Sequence, residues 1–238
     1  MDSCNEYIIG YGPKMAKMRW DGCCDSCPEI TILSRHDKEK RGIVFNDGKA
    51  DLFGGYATLY RYSKKKCGLK DALGREDKGD IFNGIAWNCD YTKMYLCETK
   101  KKKIYCFDYD LKSGELSNKK VVFDFNADGV PGKPDGMTID CNDNLWIACF
   151  GGYQVSNDPE KEVVLRRIKL PVRDVSSCAW GGPDLSTLYV TTSRVYLTEA
   201  EKRQQPLAGC VFEICGLGPR GIPANNAVVQ LFSLSEIV

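Results

Sequence analysis

Side-chain oxygens recur at matched places along the chain. Asn46 with Asp47 opens NDGKADLFGG, Asn83 opens NGIAWNCDYTKMYLCE, Asp135 opens DGMTIDCNDNLWIACF and Ser177 opens SCAWGGPDLSTLYVTT. Repeats folded side by side bring equivalent positions together, here two amides, two carboxylates and a hydroxyl. Carboxylate and carbonyl oxygens suit hard divalent cations such as calcium, magnesium or manganese, and zinc also accepts carboxylates. A second role is open to the same residues. Asn-Gly and Asp-Gly are strong turn signals, so Asn83-Gly84 and Asp135-Gly136 could serve only to reverse the chain at positive φ. Their recurrence in register favours a metal-binding constellation, because a turn has no need of the same pair at the same repeat position. Asp140, five residues beyond Asp135, reads as a solvated turn carboxylate.

Other chemistries have little to stand on. The chain has no GxSxG elbow, and its one histidine, His36, lies in the charged stretch SRHDKEKR, so triad schemes lack a credible base. GLGPRG at 216–221 lacks phosphate-binding spacing. Cys23, Cys24 and Cys27 form one CxxC step with no second to complete a zinc site.

The elements that must position these residues are strands. TLYRYS, MYLCE, KIYCFDYD, KVVFDF, LWIACF, VVLRRIKL, TLYVTT and GCVFEI are short, rich in β-branched and aromatic residues, and bounded by Gly, Asn, Asp, Pro or Lys turns. Residues 196–207 and 12–20 could each form a helical turn or two. The repeats starting at 46, 83, 135 and 177 are 37, 52 and 42 residues apart, a spacing that predicts an all-β β-propeller with about four strands per blade. A two-sheet sandwich also has regular strands but does not call for repeated opening motifs. With no low-complexity linker, residues 1–238 read as one domain.

Composition narrows the partners. The 238 residues carry 33 Lys plus Arg against 32 Asp plus Glu, a net charge of +1, which argues against a nucleic-acid or polyanion binder. Lys100 to Lys103 reads as a solvated hairpin turn. There is no run of 18 apolar residues, and the first 20 residues lack the pattern of a signal peptide, so the expected setting is cytoplasmic and away from membranes. The 13 cysteines are odd in number and irregularly spaced, which predicts reduced thiols, with Cys97 and Cys106 as small buried hydrophobes in strands.

The stretches FNDGKAD, FNGIAWNCDYTKMYLCET, FDYDLKSGELSNKKVVFDF, PDGMTIDCNDNLWIACFGG, KLPVRDVSSCAWGGPDLSTLYVTT and LAGCVFEICGLGPRGIP resemble the family of regucalcins (senescence marker proteins), gluconolactonases and luciferin-regenerating enzymes. The resemblance runs in order through most of residues 43–223 and is faint over 1–42. It implies a six-bladed β-propeller holding one divalent cation and hydrolysing sugar lactones such as gluconolactone. It assigns Asn83 and Asp135 to the metal and Asn46 to substrate or metal-bound water, with Asp47 in the same loop. Asp135 or Asp47 is then the proton acceptor. Three departures accompany it. The family's glutamate ligand in an EGPxW motif is missing, since Tyr11-Gly12-Pro13 carries no acid. Val44 stands where the family has an arginine, with Arg41 nearby. After Asp51 the chain passes almost directly, through LFGGYATLY, to the next blade. Six blades of about 40–45 residues need roughly 240–270 residues, so the expected propeller is incomplete, lacking its first blade and part of its second. The competing expectation is a catalytically impaired relative that binds calcium or serves as an interaction protein.

Overall fold

The computed structural model describes residues 6–21, 25–35, 48–50, 56–57, 60–63, 68–71, 81–158 and 165–226. Asn46 and Asp47 lie outside them, as do Cys23, Cys24, His36, Arg41 and Val44. The chain divides into two compact units, Met1–Leu73 with Asn225–Val238, and Gly74–Ala224. Among the described residues no helix is long and apolar enough to cross a membrane.

In the first unit, β1 (Glu6–Tyr11), β2 (Lys14–Arg19) and β3 (Glu29–Arg35) form an antiparallel sheet in chain order. The helical expectation for residues 12–20 is overturned. Tyr11 pairs with Lys14, so Gly12 and Pro13 make a two-residue hairpin tip, with Gly12 at φ 59°. Proline there forfeits no ladder hydrogen bond, and pairing on both edges of β2 overrides the weak local helical preference of KMAKMR. A register shift against β3 at Met15/Ala16 lets both of these neighbours be buried. Across the hairpin, Glu6 Oε1 accepts from Lys17 Nζ at 3.1 Å and Arg19 Nη2 at 2.9 Å. A second sheet joins β4 (Lys49–Ala50), β5 (Tyr56–Ala57), β6 (Tyr60–Ser63) and β7 (Gly68–Asp71), again in order.

The second unit holds three antiparallel meanders. They are β8 (Phe82–Trp87), β9 (Lys93–Glu98), β10 (Lys103–Tyr109) and β11 (Leu116–Asp124); then β12 (Lys133–Ile139), β13 (Leu145–Phe150), β14 (Gln154–Asp158) and β15 (Arg166–Lys169); then β16 (Val175–Gly181), β17 (Thr187–Thr192) and β18 (Val211–Ile214). One short helix, α1 (Glu199–Gln204), precedes β18, within the stretch expected to turn helically. It starts at a capping box in which Thr198 and Glu201 satisfy each other's backbone amides.

The repeats seen in the sequence return as matched hairpins. Between β8 and β9, β12 and β13, and β16 and β17, the amides of Tyr91, Asp143 and Leu185 donate to the carbonyls of Asn88, Asp140 and Gly182 at 3.0, 3.1 and 3.3 Å. All three donors take left-handed φ values of 56°, 61° and 58°. This is a type I turn closed by one αL residue, a standard solution for a short hairpin loop. Its carboxylates are spent on the backbone: Asp90 Oδ1 accepts from the Thr92 amide at 3.0 Å, and Asp184 Oδ1 from the Ser186 amide at 3.3 Å.

Two apolar layers hold the three sheets face to face. Tyr95, Ile104, Phe123, Met137, Ile139 and Ile147 belong to the layer between the β8–β11 and β12–β15 sheets. Trp146, Val155, Val175, Cys178, Leu188 and Val190 belong to the layer between β12–β15 and β16–β18. Alternate residues of β13 enter different layers, Leu145, Ile147 and Cys149 one and Trp146 and Ala148 the other. That explains the unbroken apolar run LWIACF, since a strand covered on both faces shows no polar alternation. The nine described cysteines are free thiols. Cys97, Cys106, Cys149 and Cys178 are buried, whereas Cys27, Cys89, Cys141, Cys210 and Cys215 are exposed.

Candidate functional site

The Asn-Gly and Asp-Gly pairs are not hairpin turns. Each lies inside the first strand of its sheet, and neither Gly84 nor Gly136 has positive φ. Each marks a β-bulge. Phe82 pairs with Glu98 and Ile85 with Leu96, so Asn83-Gly84 supplies one residue more than the facing strand. Pro134 pairs with Cys149 and Met137 with Ile147, which places the same excess at Asp135-Gly136. The third sheet also shifts register near the start of its first strand, but one residue earlier, between Val175 and Ser177, so that Ser177 itself pairs regularly with Thr191. Bulges bend a strand and re-aim its side chains, so the matching pair at Asn83-Gly84 and Asp135-Gly136 makes a coordinated feature rather than two local accidents.

The glycines are there for room. A Cβ on Gly84 would stand 2.8 Å from the Asp135 carbonyl oxygen and closer still to Met137 Cβ and amide N. A Cβ on Gly136 would stand 2.7 Å from Ser177 Cα and closer still to the rest of that side chain. The starts of β8, β12 and β16 therefore abut backbone to backbone, and Asn83, Asp135 and Ser177 occupy matched repeat positions on the first strands of three successive sheets. The structure brings these three strand starts together. Asn46 and Asp47, the remaining members of the expected set, belong to the residues not described.

Asn83 is held in one orientation. Its Nδ2 donates to Thr99 Oγ1 at 2.6 Å, and Thr99 Oγ1 donates to the Pro134 carbonyl at 2.7 Å. The relay spends the donor end of the amide on protein, which turns its carbonyl end, the end suited to a cation, the other way. It also ties Asn83 to the residue before Asp135. Asn83 is buried and Asp135 half-buried. Sequence reasoning missed Thr99, and no motif marks it: it is one hydroxyl next to a lysine run. That run forms the expected turn between β9 and β10, closed by Lys102 N to Thr99 O at 3.3 Å.

Asp140 is a correction. Instead of a solvated carboxylate it is fully buried. Its Oδ1 accepts from the amides of Asn142 and Asn144 at 2.9 and 3.0 Å, and its Oδ2 from Trp146 Nε1 at 2.9 Å. Asn88 does the same work one sheet earlier, with Oδ1 accepting from the amides of Thr92 and Lys93 at 3.0 and 2.7 Å. Both organise turns at the far ends of their strands from Asn83 and Asp135.

An amide oxygen and a carboxylate on abutting strands are hard donors of the kind a divalent cation takes. Among the described residues no three of His, Cys, Asp and Glu stand close enough to hold a metal together. Asn83 and Asp135 are thus of the donor type a divalent cation takes, and a cation held by them would need further ligands.

Residues 6–194 match the family model described as the SMP-30/gluconolactonase/LRE-like region. Regucalcin of Bos taurus is 35% identical over 232 residues, 91% of this chain and 75% of that protein. A luciferin-regenerating enzyme superposes with a TM-score of 0.84 at 30% identity, covering 97% of this chain and 79% of that one. A calcium-binding regucalcin from Agrobacterium tumefaciens superposes with a TM-score of 0.80 at 20% identity over 95% of this chain and 77% of its own, a likeness of fold.

Proposed function

Because the chain belongs to the SMP-30/gluconolactonase/LRE-like family of β-propellers, we propose that it is a metal-dependent hydrolase of sugar lactones, of the gluconolactone type. The observation that supports this most is the pair of matching bulges that set Asn83 and Asp135 on abutting strands. In this reading Asn83 Oδ1 and the Asp135 carboxylate hold one divalent cation, calcium or zinc, with manganese and magnesium also suited to oxygen donors. The bound cation supplies polarisation of the lactone carbonyl and acidification of a water. An oxygen of Asp135 or Asp47 accepts the proton that the attacking water gives up. Asn46 contacts the substrate, and Thr99 keeps the Asn83 amide from turning over. The carbonyl carbon gains the water oxygen, the ring C–O bond breaks, and the ring oxygen leaves as an alcohol, so the product is the open hydroxy acid. We place this activity in the cytoplasm, where free thiols are the resting state.

The test is hydrolysis of gluconolactone by the purified chain with calcium, zinc or manganese added singly beside a chelated control. Metal-dependent turnover is the expected result. Cation binding without turnover overturns the hydrolase and leaves a calcium-binding relative. Asp135→Ala removes the charged donor of the pair, so cation affinity measured by calorimetry and turnover fall together. Unchanged affinity in a folded Asp135→Ala protein places the cation elsewhere.

A further inference from the structure

Two exposed cysteines lie on adjoining turns at the opposite ends of the strands that carry Asn83 and Asp135. Cys89 and Cys141 occupy the same position in their repeats, each directly after the turn-organising residue, Asn88 or Asp140. The two turns touch. The Cys89 amide donates to Asp143 Oδ1 at 2.7 Å, and Cys89 Sγ lies 3.8 Å from the Asp140 carbonyl oxygen. That oxygen is about 2.8 Å from the next Cα across a trans peptide. Cys89 Sγ is therefore no farther than about 6.6 Å from Cys141 Cα, and the Cys141 thiol stands near enough to act electrostatically on the Cys89 thiol. Both backbones are anchored, Cys89 as described and Cys141 through its amide to the Arg220 carbonyl at 2.8 Å.

We propose that Cys89 and Cys141 form a reversible dithiol site, oxidised by hydroperoxides to a disulfide that staples the β8–β9 turn to the β12–β13 turn. The Cys141 thiolate attacks the peroxide O–O bond, taking one oxygen as sulfenic acid and releasing hydroxide. The Cys89 sulfur then displaces the second hydroxide and closes the S–S bond. Two thiols lose two electrons and two protons, and one hydrogen peroxide becomes two waters. Burial, reinforced by the Asp143 carboxylate, raises the Cys89 thiol to about 11, which leaves it protonated at neutral pH; it is not the thiolate that meets the peroxide, and it gives up its proton as it displaces hydroxide from the sulfenic acid. A thiol reductant reverses the bond, since both cysteines lie at exposed positions.

The experiment treats the whole chain with hydrogen peroxide, blocks residual thiols with iodoacetamide, and maps a non-reduced digest by mass spectrometry. The expected product is a peptide pair joining Cys89 to Cys141 that separates on adding dithiothreitol, with a thermal midpoint several degrees above that of the reduced protein. In Cys89→Ser the pair is absent, dimedone captures a sulfenic acid at Cys141, and the midpoint no longer rises. The proposal is overturned if both thiols are still alkylated after peroxide has consumed others, or if either is joined to a different cysteine.

Discussion

Replacing Gly84 with alanine tests whether the strand starts must meet as bare backbone. The added methyl carbon needs about 3.5–4.0 Å from its neighbours, yet it would find the Asp135 carbonyl oxygen at 2.8 Å and the Met137 backbone nearer still. None of these atoms is the far end of a flexible side chain, so relief requires β8 and β12 to part by about 1 Å. Overpacking of this kind costs about 1–3 kcal/mol, and rigid backbone on one side puts the expected loss near 3 kcal/mol. For a chain of this length that lowers the midpoint by roughly 6–12 °C. Gly129→Ala is the contrast, because Gly129 has φ 58° and nothing within 4 Å of an added Cβ. It should cost only the left-handed strain of a non-glycine residue, about 1 kcal/mol. Urea unfolding followed by tryptophan fluorescence compares the two, and a cation titration of Gly84→Ala follows the donors as the strands part. A Gly84→Ala protein as stable as Gly129→Ala, or more so, refutes the reasoning, since the strands would then have room to spare.

Thr99→Val keeps the shape but removes the hydroxyl between Asn83 and Pro134, costing about 1–3 kcal/mol for each polar group it deprives; calorimetry should show weaker cation binding that Thr99→Ser restores. Equal affinity in all three proteins would show that Asn83 needs no such support. Asp140→Ala should cost about 3 kcal/mol or more by stranding the Trp146 indole and two turn amides, while cation affinity of the folded fraction stays as in the parent. A small change in urea midpoint would mean that water replaces the carboxylate.

What could be read in advance was the recurrence. Asn83, Asp135 and Ser177 stand in register in the sequence, and the all-β class with its matched hairpins follows from the same spacing. What the Asn-Gly and Asp-Gly pairs do there was not legible, because a turn and a bulge ask for the same residues locally. The decision lies with the neighbouring strand, which leaves no space for a Cβ. The strand at Lys14–Arg19 was hidden for a related reason, since its period is ambiguous until β1 and β3 pair with it. Asp140 sits among polar turn residues and looks solvated, but the indole six residues on closes over it. Thr99 has no signal at all, as its role depends on a side chain 16 residues away and a carbonyl 35 residues away.

The position of β13 between two apolar layers has a consequence for how the second unit opens. Its odd and even residues answer to different neighbours, so the strand cannot be released by lifting either adjoining sheet alone. Freeing its amides to solvent requires both layers to part, which makes β13 the place where hydrogen exchange is slowest and where its rate reports the global rather than the local opening free energy. Adjacent residues such as Ile147 and Ala148 then belong to separate cooperative contacts, and deuterium uptake after trimming Ile147 should rise first on the β8–β11 side, with the β16–β18 side following only when the whole unit unfolds.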